Sequence, residues 1–175
     1  MNLQINQKPE DIFHFYRFHY WYSPDRKIYR LKYKVGFGCF FLLMPLVFFY
    51  FSYEKIPSAA LILNLIIVGL LLAGLGVYLA KELAMNHIGK VAEKAVQDAR
   101  NDLINTINMI FREESVLIKT QNIERSINYS AVQKAMQDKD YYFIYIDSLS
   151  ALIIPKKAFS SNEERLTFEK KMGYL

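Results

Sequence analysis

Two long uncharged runs constrain this chain more than anything else in it. Val35–Tyr53 reads VGFGCFFLLMPLVFFYFSY and Ser58–Ala80 reads SAALILNLIIVGLLLAGLGVYLA, and neither contains a charged residue. At about 1.5 Å per helical residue, each is long enough to cross a hydrocarbon layer of about 30 Å. Helices that are apolar on every side belong to the core of a large protein or to a membrane. A chain of 175 residues has too little other material to cover both. The sequence therefore predicts transmembrane helices over 35–53 and 58–80. The connection at 54–57 is long enough only for a turn on the far side.

The 34 mostly polar residues ahead of the first run are too many for a cleavable signal, so that run is expected to be retained. Lys8, Arg17, Arg26, Lys27, Arg30, Lys32 and Lys34 precede it, the connection offers only Lys55, and Lys81, Lys90, Lys94 and Arg100 follow the second run. The positive-inside bias then predicts that both flanks are cytoplasmic. The net charge of +5 divides into seven bases against three acids before Val35 and fourteen against thirteen after Ala80. The C-terminal part is thus nearly neutral, with no basic stripe to suggest a nucleic-acid partner. The basic run before Val35 fits a topology signal that also touches anionic headgroups.

Within the second run, Gly69, Ala73, Gly76 and Ala80 recur at spacings of four, three and four. That lines small residues along one helical face, where another helix can approach closely. The expected occupant is the first span, a second copy or a partner membrane protein. Pro45 falls in the middle of the first span, where a kink or a carbonyl left for a neighbour to satisfy is expected, while Pro57 suits the start of the second.

The flanks read differently from the spans. Residues 1–34 open with Asn2–Asn6, which alternates like a short strand, and continue into a helix with Pro9 at its start and Glu10 and Asp11 near its positive end. The aromatic segment Ile12–Tyr22 suits a headgroup layer or a packed interface and should stop at Ser23-Pro24-Asp25. His14 and His19 are five residues apart, off the three- or four-residue spacing that puts two side chains on one helix face. Residues 81–104 read as a helical connector. Residues 105–175 read as a β-rich domain, with strands at Thr106–Phe111, Val116–Thr120, Ile123–Tyr129, Tyr141–Ile146 and from Ala151. A short, helical stretch over Ser130–Met136 and a turn over Gln137–Asp140 separate the third and fourth of these. A C-terminal helix should follow Ser160, which has capping-box spacing to Glu163, and bury Leu166, Phe168 and Met172. The fold class is a membrane α+β protein: a two-helix transmembrane hairpin with a small antiparallel domain closed by a helix.

The chemistry-bearing motifs are absent: no GxxxxGK[ST], HExxH, GxSxG or GxGxxG occurs, and the three histidines are scattered. No catalytic residue, cofactor or metal site is predicted. Cys39 is the single cysteine and lies within the first span, so it fits a small apolar residue. Lys156 and Lys157, between an apolar strand and the closing helix, are the basic pair best placed to meet a partner. As structure, they end a strand and guard its edge.

The order of parts resembles the YcxB-like family of bacterial membrane proteins. The resemblance rests on KPEDIFHFYRFH, the two spans and INYSAVQKAMQDKDYYFIYIDSLSALIIPKKAFSS, above all on the close at Pro155, Lys156, Lys157, Ala158 and Phe159. It implies a pleckstrin-homology-like (PH-like) cytoplasmic domain and residence in the bacterial cell (inner) membrane. The resemblance is incomplete: Tyr129 stands where family members often carry tryptophan, and the first hairpin tip is Arg112-Glu113-Glu114. Acidic residues there would repel phosphate, so recognition of lipid headgroups by this domain is not implied. The functional expectation is a non-catalytic, membrane-anchored interaction or regulatory protein, with a protein partner or a second copy besides the lipid bilayer. The alternatives are protection against membrane-active peptides and, third, a small transport subunit.

Overall fold

A computed structural model describes residues 1–52, 58–99, 106–120, 123–148 and 150–173. The turn expected at 54–57, with Pro57, and the end of the connector at 100–104 lie outside the described residues. The chain divides into two compact units: Tyr16–Val91, and Met1–Phe15 together with the chain from Ala92 onward.

The unit that takes in both flanks is built on antiparallel strands in two sheets. One has the order β1 (Asn2–Asn6), β2 (Thr106–Phe111), β3 (Ser115–Lys119) and β4 (Glu124–Asn128). The other has the order β5 (Lys134–Gln137), β6 (Tyr141–Tyr145) and β7 (Ala151–Pro155). β1 is paired over its whole length with β2, with Leu3 opposite Met109 and Ile5 opposite Ile107. All four of these side chains are buried, so the alternation read in NLQIN does orient one face of a strand inward. Lys134–Gln137 was expected to lie in a helical stretch and a turn, yet it pairs with Tyr142–Tyr145. Its composition, KAMQ, carries no strand signal, and cross-strand pairing overrides local preference.

The core gathers Leu3, Ile5, Ile107, Met109, Phe111 and Val116 from the first sheet with Tyr142, Ile144 and Ile154 from the second. It is closed by Phe168 of α4 (Asn162–Lys171). Phe168 meets the rings of Phe111, Tyr142 and Phe159 at centroid distances of 5.5, 5.0 and 5.1 Å. Leu166, expected inside, is 48% exposed, and Met172 packs against the core as expected. The cap of α4 is one residue later than the sequence suggested: Ser161 Oγ accepts from Glu164 N, and the Glu164 carboxylate accepts from Ser160 N.

β6 is buried on both faces. Tyr142 and Ile144 enter the core, while Phe143 and Tyr145 pack on Phe15 of α1 (Pro9–Arg17) at 5.7 and 5.9 Å. This explains why YYFIY is a continuous apolar run, with no polar alternation, although its sheet is antiparallel.

The unit Tyr16–Val91 carries two helices long and apolar enough to cross a membrane. α2 runs over Lys27–Ser52, eight residues ahead of the uncharged run, and is continuous through Pro45. α3 runs unbroken over Ala59–Ala99. The second span and the connector are thus one helix of 41 residues, about 60 Å long at 1.5 Å per residue and roughly twice the thickness of a hydrocarbon layer.

Candidate functional site

The small-residue face of α3 lies against α2. A Cβ added at Gly69 would stand 2.9 Å from the Leu42 carbonyl oxygen, and one at Gly76 would stand 2.5 Å from the Phe41 ring and 3.1 Å from the Phe37 carbonyl oxygen. Ala80 is fully buried, and Ala73 contributes its backbone oxygen near Gly38. At Gly69 glycine is required by the approach of backbone to backbone, which no rotamer change can relieve, whereas at Gly76 the closest obstacle is the Phe41 ring. Gly69→Val is therefore expected to destabilise the helix pair by about 1–3 kcal/mol. Gly74→Val, where a Cβ meets nothing within 4 Å, should change stability by about 0.5 kcal/mol or less. Equilibrium unfolding of the two variants in detergent micelles tests the pair, and equal effects would contradict the packing.

The closing residues of the second sheet are built inward more than outward. Pro155 is buried at the end of β7. Lys156 Nζ donates to Gln137 Oε1 at 2.9 Å and to the Asp138 carbonyl at 2.7 Å, and sits 4.7 Å from the Tyr142 ring centroid. Phe159 packs edge-on to Tyr142 at 5.9 Å. Among these residues Lys157 is the exposed one. Burial and the hydrogen bond from its hydroxyl to Glu169 raise the pKa of Tyr142, so it stays a neutral donor.

A polar latch fastens α1 to the β5–β6 turn. Asp11, buried, accepts from Lys8 N at 2.8 Å and from the Tyr141 hydroxyl at 2.7 Å. His14 stacks on Tyr141 at 4.5 Å and meets the Asp138 carboxylate through Nε2. The other oxygen of Asp138 accepts from Asp140 N and Tyr141 N, both at 2.8 Å, closing the turn. Burial first, and then the bond to Asp11, raises the Tyr141 pKa. Each of these groups has a holding role. His19 lies elsewhere on the aromatic segment, edge-on to Tyr20. Among the described residues, no group of three or more His, Cys, Asp or Glu could hold a metal ion.

One surface feature was not visible in the sequence. A cavity of about 290 Å³ is lined by Tyr129, Val132, Lys134, Ala135, Lys171 and Met172. The Lys134 ammonium lies 4.5 Å from the Tyr145 ring centroid, and that of Lys171 lies 5.4 Å from the Tyr129 ring centroid. Lys171 and the Tyr129 hydroxyl both donate to the Arg112 carbonyl. Two ammonium groups thus line one cavity whose lining residues include no carboxylate, beside β5, an outer strand of its sheet.

Residues 111–172 match the model of the family described as YcxB-like protein. The match covers just over a third of the chain and takes in β3 to β7 and α4, so the resemblance drawn from the C-terminal residues holds for that stretch. No curated protein and no solved structure matches the chain.

Proposed function

We propose that this chain, with its YcxB-like stretch at residues 111–172, is a non-catalytic, membrane-anchored interaction module. In this reading α2 and α3 cross the bacterial cell membrane as a hairpin and hold a PH-like domain at the cytoplasmic face, where it engages an acidic segment of a protein partner. The observation that carries the reading is the pairing of β1 with β2. The chain leaves the sheet unit at Phe15 and rejoins it at Ala92, with two membrane-length helices in between. A chain that returns to its own sheet crosses an even number of times, so both flanks lie on one side. The excess of Lys and Arg in those flanks favours the cytoplasm.

The sheets of four and three strands, with a C-terminal helix closing the core, support the PH-like identity. The docking surface is assigned from charge. Lys134 and Lys171 suit a carboxylate, and the outer edge of β5 can take an extended segment beside them.

A photo-crosslinking residue at exposed Gln133, in intact cells, tests this reading. The expected product is an adduct of discrete mass with another protein, reduced about tenfold when Lys134→Glu and Lys171→Glu are combined, as loss of charge-assisted contacts worth about 1.4 kcal/mol would produce. An adduct indifferent to the charge reversal, or formed only with a second copy, would overturn it.

A further inference from the structure

The unit Tyr16–Val91 contains a second cavity, of about 230 Å³, that the interaction reading does not use. Its aromatic side is made by Tyr20 and Trp21, from the π-helical turn Phe18–Tyr22, and by Tyr29 and Tyr33 of α2. Ala84 and Ile88 of α3 form an apolar floor. Trp21 is 3% exposed and stands edge-on to Tyr33 at 6.1 Å. Along both helices the cavity falls just outside the uncharged runs, since Tyr33 precedes Val35 and Ala84 follows Ala80. That is the depth at which aromatic side chains meet lipid headgroups.

Two guanidinium groups, outside the lining itself, lie beside residues that line it. Arg30 donates to the carbonyl oxygens of Trp21 and Ser23, the latter at 3.0 Å, and the Arg26 guanidinium lies 5.9 Å from the Tyr20 ring centroid. Aromatic walls alone would also suit a quaternary ammonium, so the sign of the ligand's charge must be decided. Among the described residues of this unit, eight Lys and Arg face two acids, Asp25 and Glu82. A desolvated cation–π contact is worth about 2 kcal/mol. Each base near a membrane surface contributes about 1 kcal/mol toward an anionic lipid, and the same excess of bases repels a cation. The anion wins. A cavity of about 230 Å³ suits the upper part of an acyl chain rather than a whole lipid.

We propose that this cavity binds an anionic phospholipid, with one acyl chain against Trp21, Tyr33, Ala84 and Ile88 and the phosphate at Arg26 and Arg30. The inference rests on the reading that α2 and α3 cross a membrane. It is separate from the docking surface at Lys134 and Lys171.

Trp21 is the only tryptophan in the chain, which makes it a reporter inside the site. The full chain is reconstituted into phosphatidylcholine vesicles containing a small fraction of phosphatidylglycerol with brominated acyl chains, or of phosphatidylcholine brominated in the same way. Saturable quenching of Trp21 by the brominated phosphatidylglycerol, at about a tenth of the mole fraction needed for the zwitterionic lipid, is the expected result. Arg26→Gln should reduce that preference severalfold, and Ala84→Phe, which fills the cavity without changing charge, should remove the saturable component. Equal quenching by the two lipids would overturn the proposal. Relief of quenching by millimolar inorganic phosphate would overturn it too, since the site would then take the phosphate and not the lipid. Flotation of the vesicles separates the two readings. Protein that fails to float with them overturns the membrane reading as well, whereas protein that floats and is quenched without preference overturns this one alone.

Discussion

Deleting Asn2–Asn6 is expected to unfold the sheet unit, although every other strand remains in the chain. β1 supplies Leu3 and Ile5 to the core and a full ladder of pairs to β2, and Met1 accepts a further bond from Phe111 N at 2.9 Å. Truncating a buried Leu or Ile to Ala costs about 2–5 kcal/mol, so losing both side chains reaches the 5–15 kcal/mol by which a typical domain is stable. The deletion also uncovers β2 as a free edge with Ile107, Met109 and Phe111 beneath it, which invites pairing between molecules. Limited proteolysis in detergent should show rapid cleavage within residues 106–173 of the deleted chain, and a synthetic peptide of residues 1–7 added in excess should restore protection. A deleted chain as resistant as the full one would mean that β1 is dispensable.

Phe168→Ala is the second large effect. The ring is 1% exposed and touches three other aromatic rings from two sheets and the segment before α4. A loss of about 3–5 kcal/mol is expected, the sum of lost transfer energy and the cavity left among rings that cannot close in. Leu166→Ala, on the same helix but half-exposed, should cost about 0.5 kcal/mol or less beyond any change in helix propensity. Thermal unfolding of the two variants followed by near-ultraviolet circular dichroism distinguishes them. Similar shifts in both would show that α4 does not close the core through Phe168.

The contrast between these two residues also marks what the sequence could and could not convey. α4 offers Leu166, Phe168 and Met172, and apolar character alone does not say which of them turns inward. The same degeneracy moved the cap, since Ser160-Ser161 and Glu163-Glu164 present two equivalent frames and only the backbone chooses between them. Strands β2, β3, β4, β6 and β7 were legible because alternation, a dense aromatic run or, for β7, a short aliphatic run marks them. β5 was not, because Ala135 and Met136 favour a helix until β6 offers its edge.

The membrane-length helices were legible by charge, and the helical reading of the connector placed a second helix where α3 simply runs on. Lys81 and Glu82 change the hydropathy of α3 without breaking its backbone hydrogen bonds, so the helix continues to Ala99. The cavity at Lys134 and Lys171 could not be read at all. Its lysines are 37 positions apart, and only the packing of α4 on the sheet brings them together.

The distance along the chain between β1 and β2 also imposes an order on biosynthesis. β1 leaves the ribosome before either apolar helix, and its partner appears about a hundred residues later. Closing a flexible loop of that length carries an entropic cost of about 4 kcal/mol. If α2 and α3 cross a membrane as proposed, the hairpin they form would bring the loop ends back toward the same face and remove much of that cost. A chain that inserted only one of the two helices would leave β1 and β2 on opposite sides of the bilayer, unable to pair. In the proposed topology, a chain threaded incorrectly would keep its first strand unpaired and open to proteases.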